Sequence, residues 1–375
     1  MQRIKVPPRP GWQRKMESVG FHFHSIDGVY WRDELAYRFS SAQIDELDDV
    51  TAALNQLCLQ AVEHVVREKR YRELAIPPHA IPLIEDSWRR QDPSLFGRFD
   101  LAYDGLSPPK LYEFNADTPT SLIESSIAQW FWLQDWNPQA DQFNSLHEKL
   151  IERWKTLRQH WPDAHKLHLA CLYDNEEDVG NLEYLADCAS QAGWPIECLD
   201  IADVGWDGRQ FVDNQEQAIN LLFKLYPWEW LCAEAFGPDI PRAATGWVEP
   251  PWRMLLANKG ILPILWQLNP GHPNLLECHF DASAFTGRPY VKKPLLSREG
   301  ANISVVGMGP TVTTAGDYGE EGFVYQAFHS LPRFDDAYAL VGSWLVGNEP
   351  AGIGIREDAS AITQNTSHFV PHFFE

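Results

Sequence analysis

Leu111-Tyr112-Glu113-Phe114-Asn115-Ala116-Asp117-Thr118-Pro119-Thr120-Ser121, taken with Arg98-Phe99-Asp100 just upstream, reads as one antiparallel hairpin. Its arms are strands 94–103 and 110–115, and its turn is Asp104-Gly105-Leu106-Ser107-Pro108-Pro109. Side chains alternate faces along a strand, so Arg98 and Asp100 share a face, as do Glu113 and Asn115. A register that sets Tyr103 opposite Lys110 puts Asp100 opposite Glu113 and Arg98 opposite Asn115. Facing carboxylates repel, and a sheet does not choose them for stability. A hard divalent cation such as Mg²⁺ turns the repulsion into attraction, because it takes carboxylate and amide oxygens and keeps phosphate oxygens as further ligands. Arg98 beside it supplies a fixed positive charge for an anion. A slip of one residue separates the groups, and a surface hairpin with solvated charges accounts for the same residues equally well.

The chain around this hairpin has 375 residues, enough for two or three domains. Its hydrophobic content of 44% and aromatic content of 13% exclude a disordered polymer. No apolar run reaches the length of a membrane span, and Met1-Gln2-Arg3-Ile4-Lys5-Val6-Pro7-Pro8 reads as an extended arm rather than a leader. The 52 acidic residues outnumber the 31 basic ones for a formal charge of −21. That balance argues against a nucleic-acid partner, which needs a basic face, and is compatible with a cationic small molecule. Six cysteines with no C-x-x-C spacing read as reduced core residues of a cytoplasmic protein. Nothing in the residues fixes an oligomeric state.

Ser40 or Ser41 caps a helix over 40–70, with an apolar stripe from Ile44 to Val65. A shorter helix is expected over 81–90. Ser121-Leu122-Ile123-Glu124 has the form of a capping box, opening a helix whose free amide groups face the hairpin site. Residues 143–160 are helical again. An α/β pattern follows, with strand 167–173, helix 180–192, strand 196–201 and a further helix over 215–236. Asp174-Asn175-Glu176-Glu177-Asp178 closes the first of these strands, where such sheets place ligands; a solvated acidic loop is the plainer reading. A helix over 251–268 carries Asn258-Lys259, and β-rich segments continue to the C-terminus.

Within that last part, Lys293 lies in the apolar strand 289–295 and is followed by Ser297-Arg298-Glu299-Gly300-Ala301-Asn302. Such a lysine needs an anionic or polar partner, and a small loop with an arginine can close its amide groups on phosphates. No G-x-x-x-x-G-K-[ST] or G-x-G-x-x-G after a strand exists here, which disfavours P-loop and Rossmann readings. G-x-S-x-G and H-E-x-x-H are absent as well.

The order of Arg98-Phe99-Asp100, Glu113-Phe114-Asn115-Ala116-Asp117, Asn258-Lys259, Lys293-Pro294, Ser297 to Asn302, Tyr325-Gln326 and Ile355-Arg356-Glu357 resembles the glutathionylspermidine synthase family over almost the whole chain. The likeness is to its standalone synthetase-like members, which lack the amidase domain. It implies an α+β and α/β architecture: an ATP-grasp fold with an N-terminal pre-ATP-grasp region. The expected division is 1–165 (helical region with the metal-binding hairpin), 166–250 (α/β unit) and 251–375 (nucleotide-binding lobes), with the lobes interleaved.

By this resemblance Asp100, Glu113 and Asn115 bind Mg²⁺, and Arg98 stabilises the transferring phosphoryl group of ATP. Lys259 and Lys293 contact the nucleotide, Gly300 lies in the lid loop, and Gln326 sits at the adenine hinge. Arg298 meets the acyl phosphate and Arg356 a substrate carboxylate. The implied reaction joins a peptide-like acid to an amine at the expense of ATP. Two departures bear on substrate choice: Ser367-His368-Phe369 replaces an acidic residue expected to help hold a polyamine, and Thr118-Pro119-Thr120 stands where serines are expected. An ATP-binding regulator without turnover and an ATP-grasp kinase are the alternative readings.

Overall fold

The computed structural model describes residues 1–25, 28–362 and 367–375. Its centre is a sheet ordered His368–Val370, Glu349–Asp358, Ala337–Val346, Phe96–Ala102 and Lys110–Asn115, with Arg333–Phe334 added to the third of these. All pairings along it are antiparallel. The hairpin thus pairs, through its first arm, with a strand more than 200 residues away in sequence, and both arms contribute buried apolar side chains, Phe99 and Leu101 with Leu111 and Phe114. The helix Ser41–Glu68 covers one face. Ser40 and Gln43 form a reciprocal cap at its start, its apolar stripe is buried, and Thr51 Oγ1 lies 2.6 Å from Ser343 Oγ of the sheet.

A second, five-stranded antiparallel sheet runs Cys278–His279, Phe323–Ala327, Tyr290–Pro294, Ser304–Val306 and Val312–Thr313. The third is parallel and ordered Gly246–Val248, Leu221–Leu225, Leu167–Cys171 and Ile196–Asp200. Its strand order reverses between Leu167–Cys171 and Leu221–Leu225, so the loops after those two strands diverge and leave a crevice.

Several expectations need correction. Residues 215–236 are not a helix: the unbroken apolar run at Leu221–Leu225 is a buried strand, and only Trp228–Ala233 is helical after Pro227. A short continuous apolar run fits a doubly covered parallel strand better than a helix with one dry face. The helix over 251–268 is broken. Asn258 is extended (φ −92°, ψ 127°) and its Oδ1 accepts from the Gly260 amide at 2.8 Å, an Asx turn that interrupts the helical ladder before Ile261–Leu268. Ser121 does not cap: its φ is 66°, and Glu124 accepts from the Tyr30 hydroxyl at 2.5 Å instead. The N-terminal arm is a strand, Gln2–Lys5, paired with Leu35–Phe39, which in turn pairs with His372–Phe374. Five cysteines are buried and Cys198 is exposed; all six are free.

Candidate active site

The hairpin register holds where it matters. Arg98 is opposite Asn115 and Asp100 opposite Glu113. Beyond that pair an irregularity shifts the ladder, so that Ala102, not Tyr103, meets Lys110. The extra residue on the second arm is Tyr112, and such bulges re-aim side chains next to sites. Arg98 Nε donates to Asp100 Oδ1 at 2.8 Å and its Nη1 to the Thr120 carbonyl at 2.6 Å. Asn115 Nδ2 donates to Asp100 Oδ2 at 3.1 Å. The aliphatic part of Arg98 crosses Gly342, where an added Cβ would stand 2.8 Å from Arg98 Cδ. Only a glycine leaves room for that arginine.

Two lysines reach this corner. Lys259 Nζ lies 3.1 Å from Glu113 Oε2, carried there by the break after Asn258. Lys293 Nζ donates to Gln326 Oε1 at 2.7 Å and to the Tyr112 carbonyl at 3.1 Å. Burial pushes Glu113 up, but Lys259, Lys293 and Arg98 overcome it and hold the carboxyl down at about 2. Burial lowers Lys293, partly offset by Glu113. Glu113 is thereby an ionised carboxylate with cations on three sides.

This corner joins two chambers. The first, about 780 Å³, is largely apolar: Val291, Ile303, Val305, Phe328 and Leu340 line it, with Lys293 and Gln326 as buried polar groups. The second, about 1010 Å³, is polar and opens at the crevice of the parallel sheet, between Leu172 and Leu225. Arg98, Arg298 and Arg356 line it, together with Asn175 and Asp178. Asp100, Glu113 and Gly300 belong to both. Gly300 has φ 73°, in the left-handed region open to glycine, within the loop that roofs the junction.

Arg298 is tethered: its Nη2 donates to Glu229 Oε1 at 2.6 Å and its Nη1 to Thr118 Oγ1 at 2.8 Å. Asp117, next to Thr118, accepts from the buried Lys224 Nζ and from the Trp228 amide, both at 2.8 Å. It anchors the α/β unit to the hairpin and is not part of the carboxylate pair. The acidic segment is solvated at Asp174 and Glu176, whereas Glu177 and Asp178, in the first turn of the helix Glu176–Gln191 that Asn175 caps, are half-buried toward the polar chamber. Burial, with Glu177 and Glu299 adding to it, pushes Asp178 up to about 7. Burial likewise raises Glu177 and, with Glu177, takes Glu124 up to about 8.

Each residue assigned a metal, nucleotide or substrate role from the sequence therefore lines one or both chambers or, as Lys259 does with Glu113, pairs with a residue that does. Glu229 was missed because the segment holding it was read as one long helix. The signal was available: it stands two residues after Pro227 at the carboxyl end of an apolar strand. Glu124 was read as a capping-box residue, which hid its buried bond to Tyr30, and Gly342 carried no local signal.

An antiparallel lid sheet and a central sheet gripping a cleft, with a basic junction beneath a glycine loop, define an ATP-grasp protein. The chain belongs to the glutathionylspermidine synthase family: residues 3–375 match the family described as glutathionylspermidine synthase preATP-grasp. It is 42% identical to a candidate acid–amine ligase of Haemophilus influenzae, over 100% of both chains. It is 28% identical to the bifunctional glutathionylspermidine synthetase/amidase of Escherichia coli, covering 89% of this chain and 58% of that one. With the trypanothione synthetase of Crithidia fasciculata the identity is 26%, over 84% of this chain and 53% of that one. The chain spans somewhat more than half the length of those two relatives. Among solved structures, a glutathione synthetase-like effector from Globodera pallida shares the fold, with a TM-score of 0.58 at 11% identity over 99% of this chain and 100% of that one. The family makes the chain an ATP-dependent ligase of the acid–amine class. Among the described residues no helix is long and apolar enough to cross a membrane.

Proposed function

We propose that ATP occupies the apolar chamber and a peptide-like acid and an amine the polar one, so that phosphoryl transfer and amide formation both take place at the Asp100–Glu113 junction. The observation that carries this is the sharing of Asp100, Glu113 and Gly300 by the two chambers. A nucleotide entering from one side and an acid from the other would meet there.

The oxygen donors fit Mg²⁺. Asp100 and Glu113 present carboxylates in register, and Asn115 uses its amide nitrogen on Asp100, which leaves its Oδ1 as a third hard donor. When bound, the ion would neutralise phosphate oxygens. Arg98, Lys259 and Lys293 would share that task, Lys293 beside Gln326 on the nucleotide side. Gly300 would bring loop amides over the phosphates, and Gln326 would mark the adenine end. Arg356 would orient the acid.

The acid's carboxylate oxygen attacks the γ-phosphorus of ATP, the bond to the β,γ-bridging oxygen breaks, and ADP leaves behind an acyl phosphate. The neutral amine then attacks the acyl carbon and expels phosphate, with Arg298 receiving the departing anion. The amine gives up a proton in this step, and Asp178, with its carboxyl raised toward neutrality, is placed to accept it. Glu177 and Asp178 would also attract a cationic amine. The free cysteines support a reducing, cytoplasmic setting.

The test is Mg²⁺-dependent phosphate release from ATP across a matrix of small acids or peptides crossed with amines and polyamines. Stimulation that requires one acid and one amine together supports the ligase and identifies the pair. Stimulation by a single acceptor, with phosphorylated product, would replace it with a kinase.

A further inference from the structure

We infer that His168, Glu197 and Asp213 form a second divalent-cation site, built for a transition metal and separate from the cleft. One ligand atom from each lies within 4.8 Å of the others. His168 and Glu197 are register partners on adjacent parallel strands. Both sit near the amino ends of those strands, whereas the cleft opens at the carboxyl ends. Asp213 comes from the turn that follows the small hairpin Gly205–Trp206 and Phe211–Val212.

The observation that points to a ligand is the buried imidazole. His168 is 2% exposed, and neither ring nitrogen has a hydrogen-bond partner among the described residues. Its Nε2 stands 3.5 Å from Asp213 Oδ2, which is itself buried and without a hydrogen-bond partner. Asp213 Oδ1, by contrast, accepts from the amides of Gln215 and Gln217, both at 2.9 Å. These bonds fix the carboxylate with its second oxygen toward His168. Leaving buried polar atoms unpaired is unfavourable, and two carboxylates beside an imidazole repel each other. One cation satisfies all three groups.

Lys166 now pairs with Glu197, but it stands at the rim with a third of its side chain exposed and can swing into water. One imidazole nitrogen with two carboxylate oxygens suits Zn²⁺, Co²⁺ or Mn²⁺ better than Ca²⁺, which takes six to eight oxygens. The ion would clamp the 205–217 hairpin to two strands of the parallel sheet, tying three chain segments together.

The test uses the full chain stripped with a chelator and then dialysed, with Mg²⁺ in excess so that the cleft does not take up the probe. Co²⁺ is titrated with visible absorption as the readout, and Zn²⁺ is used to displace it. One equivalent is expected in wild type, accompanied by a rise in melting temperature. That equivalent should be lost in His168→Gln and in Glu197→Gln, and kept in Cys198→Ser, the control for the exposed thiol. If His168→Gln fails to fold, Glu197→Gln decides, because Glu197 is only half-buried. No uptake by wild type, uptake unchanged in Glu197→Gln, or loss in Cys198→Ser would each overturn the site.

Discussion

Asp100 and Glu113 face each other across two hydrogen-bonded strands in a sheet whose other pairings need no such repulsion. Arg98 and Asn115 hold the first carboxylate, and Lys259 the second. The arrangement sets two anions where a bound cation would find them, one strand pair from the phosphate-side lysines.

Removing either charge should separate chemistry from folding. Asp100→Asn and Glu113→Gln are expected to abolish Mg²⁺-dependent ATP turnover with the circular dichroism spectrum close to wild type. The thermal midpoint should fall somewhat, because each variant leaves cations without their carboxylate partner. A variant that unfolds, in a protein whose wild type takes up no Mg²⁺, would mark the pair as structural.

Gly342→Ala tests how Arg98 is placed. The new methyl would meet Arg98 Cδ at 2.8 Å, closer than carbon atoms approach, and the flexible arginine would yield before the backbone. Turnover should fall strongly with ATP affinity little changed, as measured by steady-state kinetics alongside equilibrium nucleotide binding.

Lys293→Met keeps the volume and removes the charge. A hydrogen bond from a charged group contributes about 1.5–3 kcal/mol, so ATP binding should weaken by roughly ten- to a hundredfold. Unchanged affinity in calorimetry would remove Lys293 from the nucleotide site.

Arg356→Ala should raise KM for the acid and spare basal ATP hydrolysis. An equal loss of both in the same assay would mean that Arg356 serves the phosphoryl step.

The acidic wall makes a pH prediction. Asp178 rises from 3.8 to about 7 and Glu124 from 4.5 to about 8 on folding. Between those values the folded protein holds protons that the unfolded chain has released, so stability declines as pH climbs from about 4 to 8. Asp178→Asn should flatten that decline in urea titrations at successive pH values. A cationic amine bound there would favour the ionised carboxylates, and calorimetry in buffers of different ionisation enthalpy should register proton release on binding.

How much of this was legible depended on range. The long helix over Ser41–Glu68, with its serine cap, and the helix Ile81–Arg90 follow from patterns within one element. So does the hairpin, because alternation and a short connection tie neighbours in sequence to neighbours in space. Its register at Asp100 does not: a regular ladder from Ala102 opposite Lys110 would set Asp100 opposite Tyr112, and only the bulge at Tyr112 brings Glu113 to face it. The break at Asn258 was missed, since an apolar run on either side of Asn258-Lys259-Gly260 hides a turn made by one side-chain bond. The strand Leu221–Leu225 was missed because its buried setting on a parallel sheet erases the alternation that marks a strand.

The sequence by itself determined the chemistry at hand: which residues are hard oxygen donors, which are cations, and which of them share a strand face. Only the tertiary structure decided what those groups share. It set the hairpin against the strand Ala337–Val346, carried Lys259 onto Glu113, and laid Arg298 on Glu229 of the helix Trp228–Ala233. It also brought Glu177 and Asp178, half-buried in the first turn of the helix Glu176–Gln191, close to Arg356 and Arg298. The physical reason is that local pattern reports the conformational preferences of nearby residues. The charge a group carries in the fold, as at Glu113 near 2 and Asp178 near 7, is set by desolvation and by partners that chain folding brings from far away.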